Sequence, residues 1–193
     1  MTDIMRINEI FYSIQGEGRY AGTPAVFVRF AGCNLRCPFC DTEFESYSEM
    51  TEDEIVAVVK AYPANHVILT GGEPTLQLTT SLLQKLNEKE CIVHIETNGT
   101  KLLPDGPIHW VTCSPKSAPL NIQRIDELKV VYQGQDVAHY LQTLPQPKVF
   151  CLQPCDTGDS ERNRQLLEQT IQYILDHPQW NLSLQTHKII NVK

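Results

Sequence analysis

Short apolar segments of strand length alternate along the chain with segments of helical periodicity, and each strand leads into a polar loop. This alternation is typical of right-handed βαβ units built around a parallel sheet. Helices are predicted to begin at residue 51 and to cover 78–86 and 161–176. Strands are predicted at 26–30, 67–70, 91–95, 109–113, 128–132 and 149–152, with a final strand at 180–185.

The number of strands narrows the architecture. About six strands favour a partial barrel over a closed eight-stranded one, which usually takes ~250 residues, because this chain has 193. No internal repeat or low-complexity linker divides the sequence. We therefore predict an α/β fold, a partial, open (β/α)6-type TIM-like barrel, formed as a single domain by residues 1–193.

Two helices carry detailed predictions. Thr51 and Glu54 have the spacing of a capping box, and Ile55, Val58 and Val59 are expected to face the core. The last helix is expected to bury one stripe of side chains. That stripe consists of Leu166, Leu167, Thr170, Ile171, Ile174 and Leu175.

Composition excludes several classes of function. The net charge is −7, which makes a general electrostatic grip on nucleic-acid phosphate unfavourable. No segment approaches the ~20 apolar residues of a membrane span, and no secretory signal precedes the first strand. We expect a cytoplasmic protein without a nucleic-acid or membrane partner.

The seven cysteines point to chemistry, since a reducing compartment keeps thiols free. Cys33, Cys37 and Cys40 have the spacing Cys-x3-Cys-x2-Cys, which can bind three corners of an iron-sulfur cube and leave one iron open. The alternative is half of a structural zinc site, which lacks a close fourth ligand. Of the other four, Cys91, Cys113 and Cys151 are expected in buried strands, and Cys155 in a loop open to exposure.

Functional side chains should gather at one edge of the sheet. Cys33, Gly71, Glu96 and Ser114 each follow or end a predicted strand. In parallel α/β sheets the loops at the carboxyl ends of the strands carry the site. We expect these four positions to share one rim.

Two segments resemble the radical S-adenosylmethionine enzymes. The loop from Cys33 to Cys40 is similar to their cluster-binding loop, and Thr70-Gly71-Gly72-Glu73-Pro74 is similar to their Gly-Gly-Glu-Pro motif. The resemblance implies a 4Fe-4S cluster whose open iron holds the methionyl end of S-adenosylmethionine and cleaves it to an adenosyl radical. Glycines allow close backbone approach, and Glu73 could orient an ammonium or the loop itself.

Further segments resemble one family within that class, the 7-carboxy-7-deazaguanine synthases. The resemblance implies a ring-contracting lyase that takes a hydrogen atom from C6 of 6-carboxy-5,6,7,8-tetrahydropterin and releases ammonia, on a 7-deazapurine route to queuosine. It also implies a flavodoxin- or ferredoxin-type electron donor and a homodimer. The match runs from residue 7 to 187 and is carried by residues 13–18, Arg29, 40–42 and 114–116.

The resemblance assigns roles to individual residues. Arg29 would pair the substrate carboxylate, and Thr42 would carry a magnesium ion that bridges to the substrate. The substrate site would be completed by Ile14, Gln15, Gly16, Glu17, Thr70, His187 and Lys193. The cofactor site would comprise Phe39, Cys40, Asp41, Gly71, Gly72, Glu73, Glu96, Asn98, Ser114, Pro115, Lys116 and Gln153.

Residues 185–188 also resemble the family, but the sequence departs from its pattern at the end, where Lys193 would have to supply the last contact with the substrate. In relatives a terminal carboxylate, often that of proline, touches the substrate, whereas this sequence continues to Lys193. His187 could donate to the substrate instead.

Two other functions remain open at this point. A small radical enzyme could activate a glycyl-radical protein, although Gln15, Arg29 and the 40–42 run argue against it. The three clustered cysteines could alternatively hold zinc in an interaction module.

Overall fold

The computed structural model describes residues 4–116 and 119–193, and its framework is one nine-stranded sheet. The sheet order is β3-β1-β2-β4-β5-β6-β7-β8-β9. The strands are β1 (Ile4–Ile14), β2 (Pro24–Phe30), β3 (Ser48–Thr51), β4 (His66–Gly71), β5 (Ile92–Thr97), β6 (Trp110–Cys113), β7 (Glu127–Tyr132), β8 (Val149–Pro154) and β9 (Trp180–Leu182). The helices are α1 (Glu52–Lys60), α2 (Thr80–Glu88), α3 (Tyr140–Thr143), α4 (Ser160–Asp176) and α5 (Thr186–Ile189).

The neighbours from β2 through β4 to β9 all pair in parallel, and the sheet ends at β3 and β9 without closing. The predicted partial, open barrel is therefore confirmed. The sequence did not predict β1 and β3, which pair antiparallel at one edge. The register of β1 shifts between Ile7 and Glu9, and this irregularity breaks the alternation that identifies a strand.

The α1 predictions are confirmed in part. Thr51 accepts a hydrogen bond from the Glu54 amide, and the Glu54 carboxylate accepts one from the Thr51 amide, so the capping box is complete. Ile55 and Val59 are buried as predicted. The expectation for Val58 was wrong, because Val58 is half-buried and Val56 takes its place in the core.

The stripe predicted for α4 is too wide. Leu166 and Thr170 are fully buried, but Ile171 is 40% exposed and Leu175 is 71% exposed. The helix packs mainly on β8 and β9. Because β9 is the last strand of an open sheet, part of the apolar surface of α4 lies beyond the sheet edge.

Two connections depart from strict strand-helix alternation. The segment 98–109 and the described parts of 114–126 contain no helix. In the first, the Asn98 side chain accepts hydrogen bonds from the amide and hydroxyl of Thr100, which fixes a turn at the end of β5. Pro104 and Pro107 then disfavour helix formation.

The two faces of the sheet differ in chemistry. Val67, Leu69, Val93 and Ile95 belong to the apolar core that also contains residues of α1 and α2. Because side chains alternate along a strand, the intervening positions point to the other side, called here the inner face. Fully or partly buried polar and aromatic side chains line it, including Tyr20, His66, His94, Trp110, Glu127 and Lys129.

The cysteines outside the cluster loop are all buried. Cys113 and Cys151 lie in strands as predicted, and Cys91 immediately precedes β5. Cys155 is only 3% exposed, so its expected exposure was wrong. All seven cysteines are free thiols, and none of the described helices is long and apolar enough to cross a membrane.

A histidine pair on the inner face predicts a pH-dependent stability. Nδ1 of His66 lies 3.1 Å from Nε2 of His94, and burial, reinforced by His66 and His109, lowers the pKa of His94 to about 4. The unfolded chain therefore binds more protons between about pH 6.5 and 4, and stability falls as the pH falls through that window. Between pH 7 and pH 5 we expect wild type to lose about 2 kcal/mol more than His94→Phe. Urea unfolding at both pH values measures this, and equal losses would contradict it.

Candidate functional site

Two adjoining cavities lie at the carboxyl ends of the parallel strands. The first, of about 200 Å³, is lined by the cysteine loop and by the ends of β4 to β8. The second, of about 660 Å³, lies over β1 and β2. Glu17, Asp41, Thr42, Thr70, Glu96 and Gln185 line both cavities and form the wall between them. Cys33, Gly71, Glu96 and Ser114 all line the first cavity, which is the shared rim expected from the sequence.

The three clustered cysteines face the first cavity. Cys33 and Cys37 are half-buried and Cys40 is exposed. Burial raises the pKa of the Cys33 and Cys37 thiols. Among the described residues, no three His, Cys, Asp or Glu side chains converge on a point that could hold one ion. In an iron-sulfur cube each thiolate binds a different iron, so three thiols around one cavity fit a cube without converging.

The glycine-rich end of β4 packs directly against the start of the cysteine loop. Gly71 has a φ of +123°, and a Cβ there would lie 2.2 Å from the Phe30 carbonyl oxygen. A Cβ at Gly72 would lie 2.0 Å from the Gly32 carbonyl oxygen. Only glycine fits at these two positions, so the backbone of β4 reaches the cavity wall next to the thiols.

Glu73, a predicted cofactor residue, does not line either cavity. It is completely buried. Its carboxylate accepts hydrogen bonds from the Thr97 hydroxyl and the Asn98 amide, both at 2.7 Å, and from Thr75. Glu73 therefore ties the end of β4 to the end of β5 and orients the loop. Pro115 is also buried and absent from both cavity walls.

The remaining predicted cofactor residues surround the first cavity. The Lys116 ammonium donates to the Ser114 hydroxyl at 2.9 Å and lies 5.4 Å from the centre of the Phe39 ring. Burial lowers the pKa of Lys116 because it removes water from the ammonium. A bound anion would stabilise this charge. The lining set includes Phe39, Cys40, Asp41, Gly71, Gly72, Glu96, Asn98, Ser114, Lys116 and Gln153.

Arg29 lies in the second cavity and is already paired. Its Nε donates to Glu9 at 3.0 Å, and the Lys193 ammonium contacts the same carboxylate. Arg29 also lies over the Phe11 ring. A guanidinium has five N–H donors, so this pairing leaves donors for a carboxylate ligand. The sequence did not identify Glu9 as the partner.

The other predicted substrate residues line the second cavity as well. Gly16 packs against His187, because a Cβ at Gly16 would lie 2.1 Å from the ring nitrogen Nδ1. The backbone carbonyl of Lys193 accepts a hydrogen bond from Ser13 at 2.6 Å, which holds Lys193 at the cavity wall. The lining set includes Ile14, Gln15, Gly16, Glu17, Arg29, Thr70, His187 and Lys193.

Sequence reasoning missed Lys129. Its side chain is 4% exposed, and its ammonium lies 2.5 Å from Glu17 and 3.4 Å from Glu96, both in the shared wall. Burial alone would raise the pKa of Glu17, but the Lys129 ammonium outweighs it and holds that pKa below its usual range. The available signal was a lysine between the apolar residues Leu128 and Val130 of strand β7.

Lys129 supports a stability prediction. Lys129→Met leaves two carboxylates without their common cation, and loss of one partner of a buried pair costs about 3–5 kcal/mol. Urea unfolding at pH 8 should show this loss. It should shrink at pH 5, where protonation relieves the repulsion. The control Arg164→Met removes two solvent-exposed pairs on α4 and should hardly shift the midpoint. A Lys129→Met midpoint equal to the control would contradict the prediction.

Comparison with known proteins places these cavities in context. Residues 27–144 match the radical SAM superfamily. The 7-carboxy-7-deazaguanine synthase of Bacteroides thetaiotaomicron is 53% identical over 189 residues, covering 97% of this chain and 98% of the relative. That of Bordetella pertussis is 41% identical, covering 96% and 98%. The crystal structure of QueE from Escherichia coli matches with a TM-score of 0.75 and 30% identity, covering 94% of this chain and 93% of that one.

Proposed function

The chain belongs to the 7-carboxy-7-deazaguanine synthase family of the radical SAM superfamily, and from that premise we propose how its two cavities divide the reaction. The first would hold a 4Fe-4S cluster and S-adenosylmethionine. The second would hold 6-carboxy-5,6,7,8-tetrahydropterin, which becomes 7-carboxy-7-deazaguanine with release of ammonia. The observation that carries this division is the shared wall, which places the cysteine loop and Arg29 on opposite sides of a few side chains.

Residues of the first cavity suit the cofactor pair. When bound, the cluster and S-adenosylmethionine supply abstraction of a hydrogen atom from the substrate. Cys33, Cys37 and Cys40 would hold the cluster as thiolates. Lys116 would face the anionic carboxylate of S-adenosylmethionine, while Asn98 and Gln153 would hydrogen-bond its ribose and adenine.

Residues of the second cavity suit an anionic pterin. Arg29 would bind the substrate carboxylate through its free donors, and Gln15 and Glu17 would hydrogen-bond the ring. Thr42 lines both cavities, which supports its proposed place as a magnesium ligand next to the substrate. A single hydroxyl is a weak ligand, so water and substrate would supply most of the octahedron.

The family assignment supports the lyase over the two other functions considered. Relatives named 7-carboxy-7-deazaguanine synthase match nearly the whole chain. This match argues against a glycyl-radical activase and against a zinc-binding module. The reaction needs an electron donor, which we propose is of flavodoxin or ferredoxin type. We place the enzyme in the cytoplasm, where its seven thiols would stay reduced.

We also propose that the enzyme is a homodimer. Ile171 and Leu175 of α4 and Leu182 of β9 are exposed apolar side chains near the open edge of the sheet. A second copy that covers them would remove this surface from water. Light scattering of the purified protein measures its mass in solution.

The central test is reconstitution without oxygen. Protein loaded with iron and sulfide should convert 6-carboxytetrahydropterin to 7-carboxy-7-deazaguanine and ammonia when S-adenosylmethionine and a reductant are present. The triple variant Cys33→Ala, Cys37→Ala, Cys40→Ala should lose the cluster and all activity. Cys155→Ser removes another thiol of the same cavity and should keep both. A protein that takes up zinc but no iron would refute the proposal.

The position of Arg29 predicts that this residue determines the affinity for the pterin carboxylate. Removing its charge should weaken pterin binding by ~2–5 kcal/mol, because a buried carboxylate needs a fixed cationic partner. Arg29→Lys keeps the charge but loses the fork and should fall between wild type and Arg29→Ala. Binding titrations with the pterin and with S-adenosylmethionine measure both sites. Loss of S-adenosylmethionine binding with retained pterin affinity would show that Arg29 serves the other cavity.

A further inference from the structure

The segment 185–193, called here the C-terminal strap, lies across the wall between the two cavities. Thr186 donates two hydrogen bonds to the Gly16 carbonyl, from its amide at 3.0 Å and its hydroxyl at 2.8 Å. His187 and Lys193 line the second cavity. Gln185 lines both cavities. The strap thus forms part of the wall of the second cavity while one of its residues reaches the first.

Two side chains of the strap hold Asp41, the residue after Cys40. The Gln185 amide donates to Glu17 at 2.9 Å and to Asp41 at 3.3 Å. The Lys188 ammonium lies 2.8 Å from Asp41 and 2.8 Å from Asp156 of the loop after β8. It also donates to Gln185 at 2.9 Å. The hydrogen bonds described for the Asp41 carboxylate all come from the strap.

The cysteine loop depends on such contacts for its position. Residues 31–47, called here the cluster loop, contain no helix or strand. A loop without a backbone ladder is fixed by the side chains and backbone groups that it meets. One exposed ion pair contributes little. Lys188, however, joins carboxylates of two different loops and is held by Gln185, so its geometry is set from three sides.

From these contacts we propose that Gln185 and Lys188 are positioning residues that hold the cluster loop through Asp41. The order of the first cavity then depends on the strap that covers the second. When the strap lifts to exchange substrate, Asp41 loses both partners and the cluster loop loosens. Hydrogen abstraction is thereby favoured when the second cavity is closed. The link from strap to cluster loop rests on geometry alone. Its effect on hydrogen abstraction also rests on the proposed function.

The test compares two changes at Lys188 with a matched control. Lys188→Met removes the ammonium and keeps the rest of the unbranched side chain, and Lys188→Arg restores the charge. Lys148→Met breaks another 2.8 Å ion pair to an aspartate, Asp126, outside both cavities. Hydrogen exchange of residues 41–47 is measured in the protein without added cofactors. Lys188→Met should exchange ~10-fold faster there than wild type or the control, and Lys188→Arg should recover most of the protection.

The reconstituted enzyme gives a second readout. In Lys188→Met the iron and sulfide content should stay at the wild-type level. The KM for S-adenosylmethionine should rise, kcat should fall ~10-fold or more, and 5′-deoxyadenosine should accumulate in excess over product. Gln185→Ala should change these quantities in the same direction. It replaces Lys188→Met in the test if that variant folds poorly.

The outcomes separate the two hypotheses. Unchanged loop exchange together with wild-type kcat and coupling in both variants would overturn the positioning role. Losses of loop protection and kcat that follow only from a lower thermal midpoint, and that also occur in Lys148→Met, would likewise overturn it. If wild type makes no 7-carboxy-7-deazaguanine but Lys188→Met still speeds loop exchange, the proposed function fails and the structural inference stands.

Discussion

The Lys129 ammonium, buried between the carboxylates of Glu17 and Glu96, holds the two halves of the site together. It joins β7 to β5 and to the loop between β1 and β2, which lies on the inner face of the sheet. A buried lysine is tolerated only when its charge is paired. The same pairing fixes two carboxylates in the wall between the cavities. The free energy of unfolding and the geometry of the cavity wall therefore depend on the same three charged side chains. A substitution at one of them changes both.

The inner face carries the buried charged side chains that line the two cavities, besides a small apolar cluster, whereas the helix-covered face forms the main apolar core. Contacts of the loop before β2 repeat this pattern. Gln15 donates to Glu96 at 2.7 Å, and the Arg19 amide donates to the buried Glu127 at 3.1 Å. A Cβ at Gly18 would lie 2.1 Å from a Glu127 oxygen, so the loop approaches the strand as closely as glycine permits. Residues 15–17 of this loop line the second cavity, and Glu17 also lines the first.

Local patterns allowed much of the fold to be predicted, including the parallel strands, the α1 capping box and the cysteine loop. Most of the candidate lining residues were also identified, although the resemblance to known enzymes supplied their roles. Some side-chain contacts could not be predicted, because the partners lie far apart in sequence. Nothing near Glu73 in sequence indicates that Thr97 and Asn98 occupy its carboxylate. Likewise the partners of Lys129, Gln185 and Lys188 lie on other strands and loops.

An open barrel exposes unpaired backbone N–H and C=O groups on its two outer strands. A closed barrel has no such edges. Here those strands are β3, of four residues, and β9, of three. Edges this short offer few hydrogen bonds to a strand of another molecule. Stacking of copies through these two strands is thereby disfavoured. Evolution can leave such a barrel open for a ligand without making it prone to aggregate.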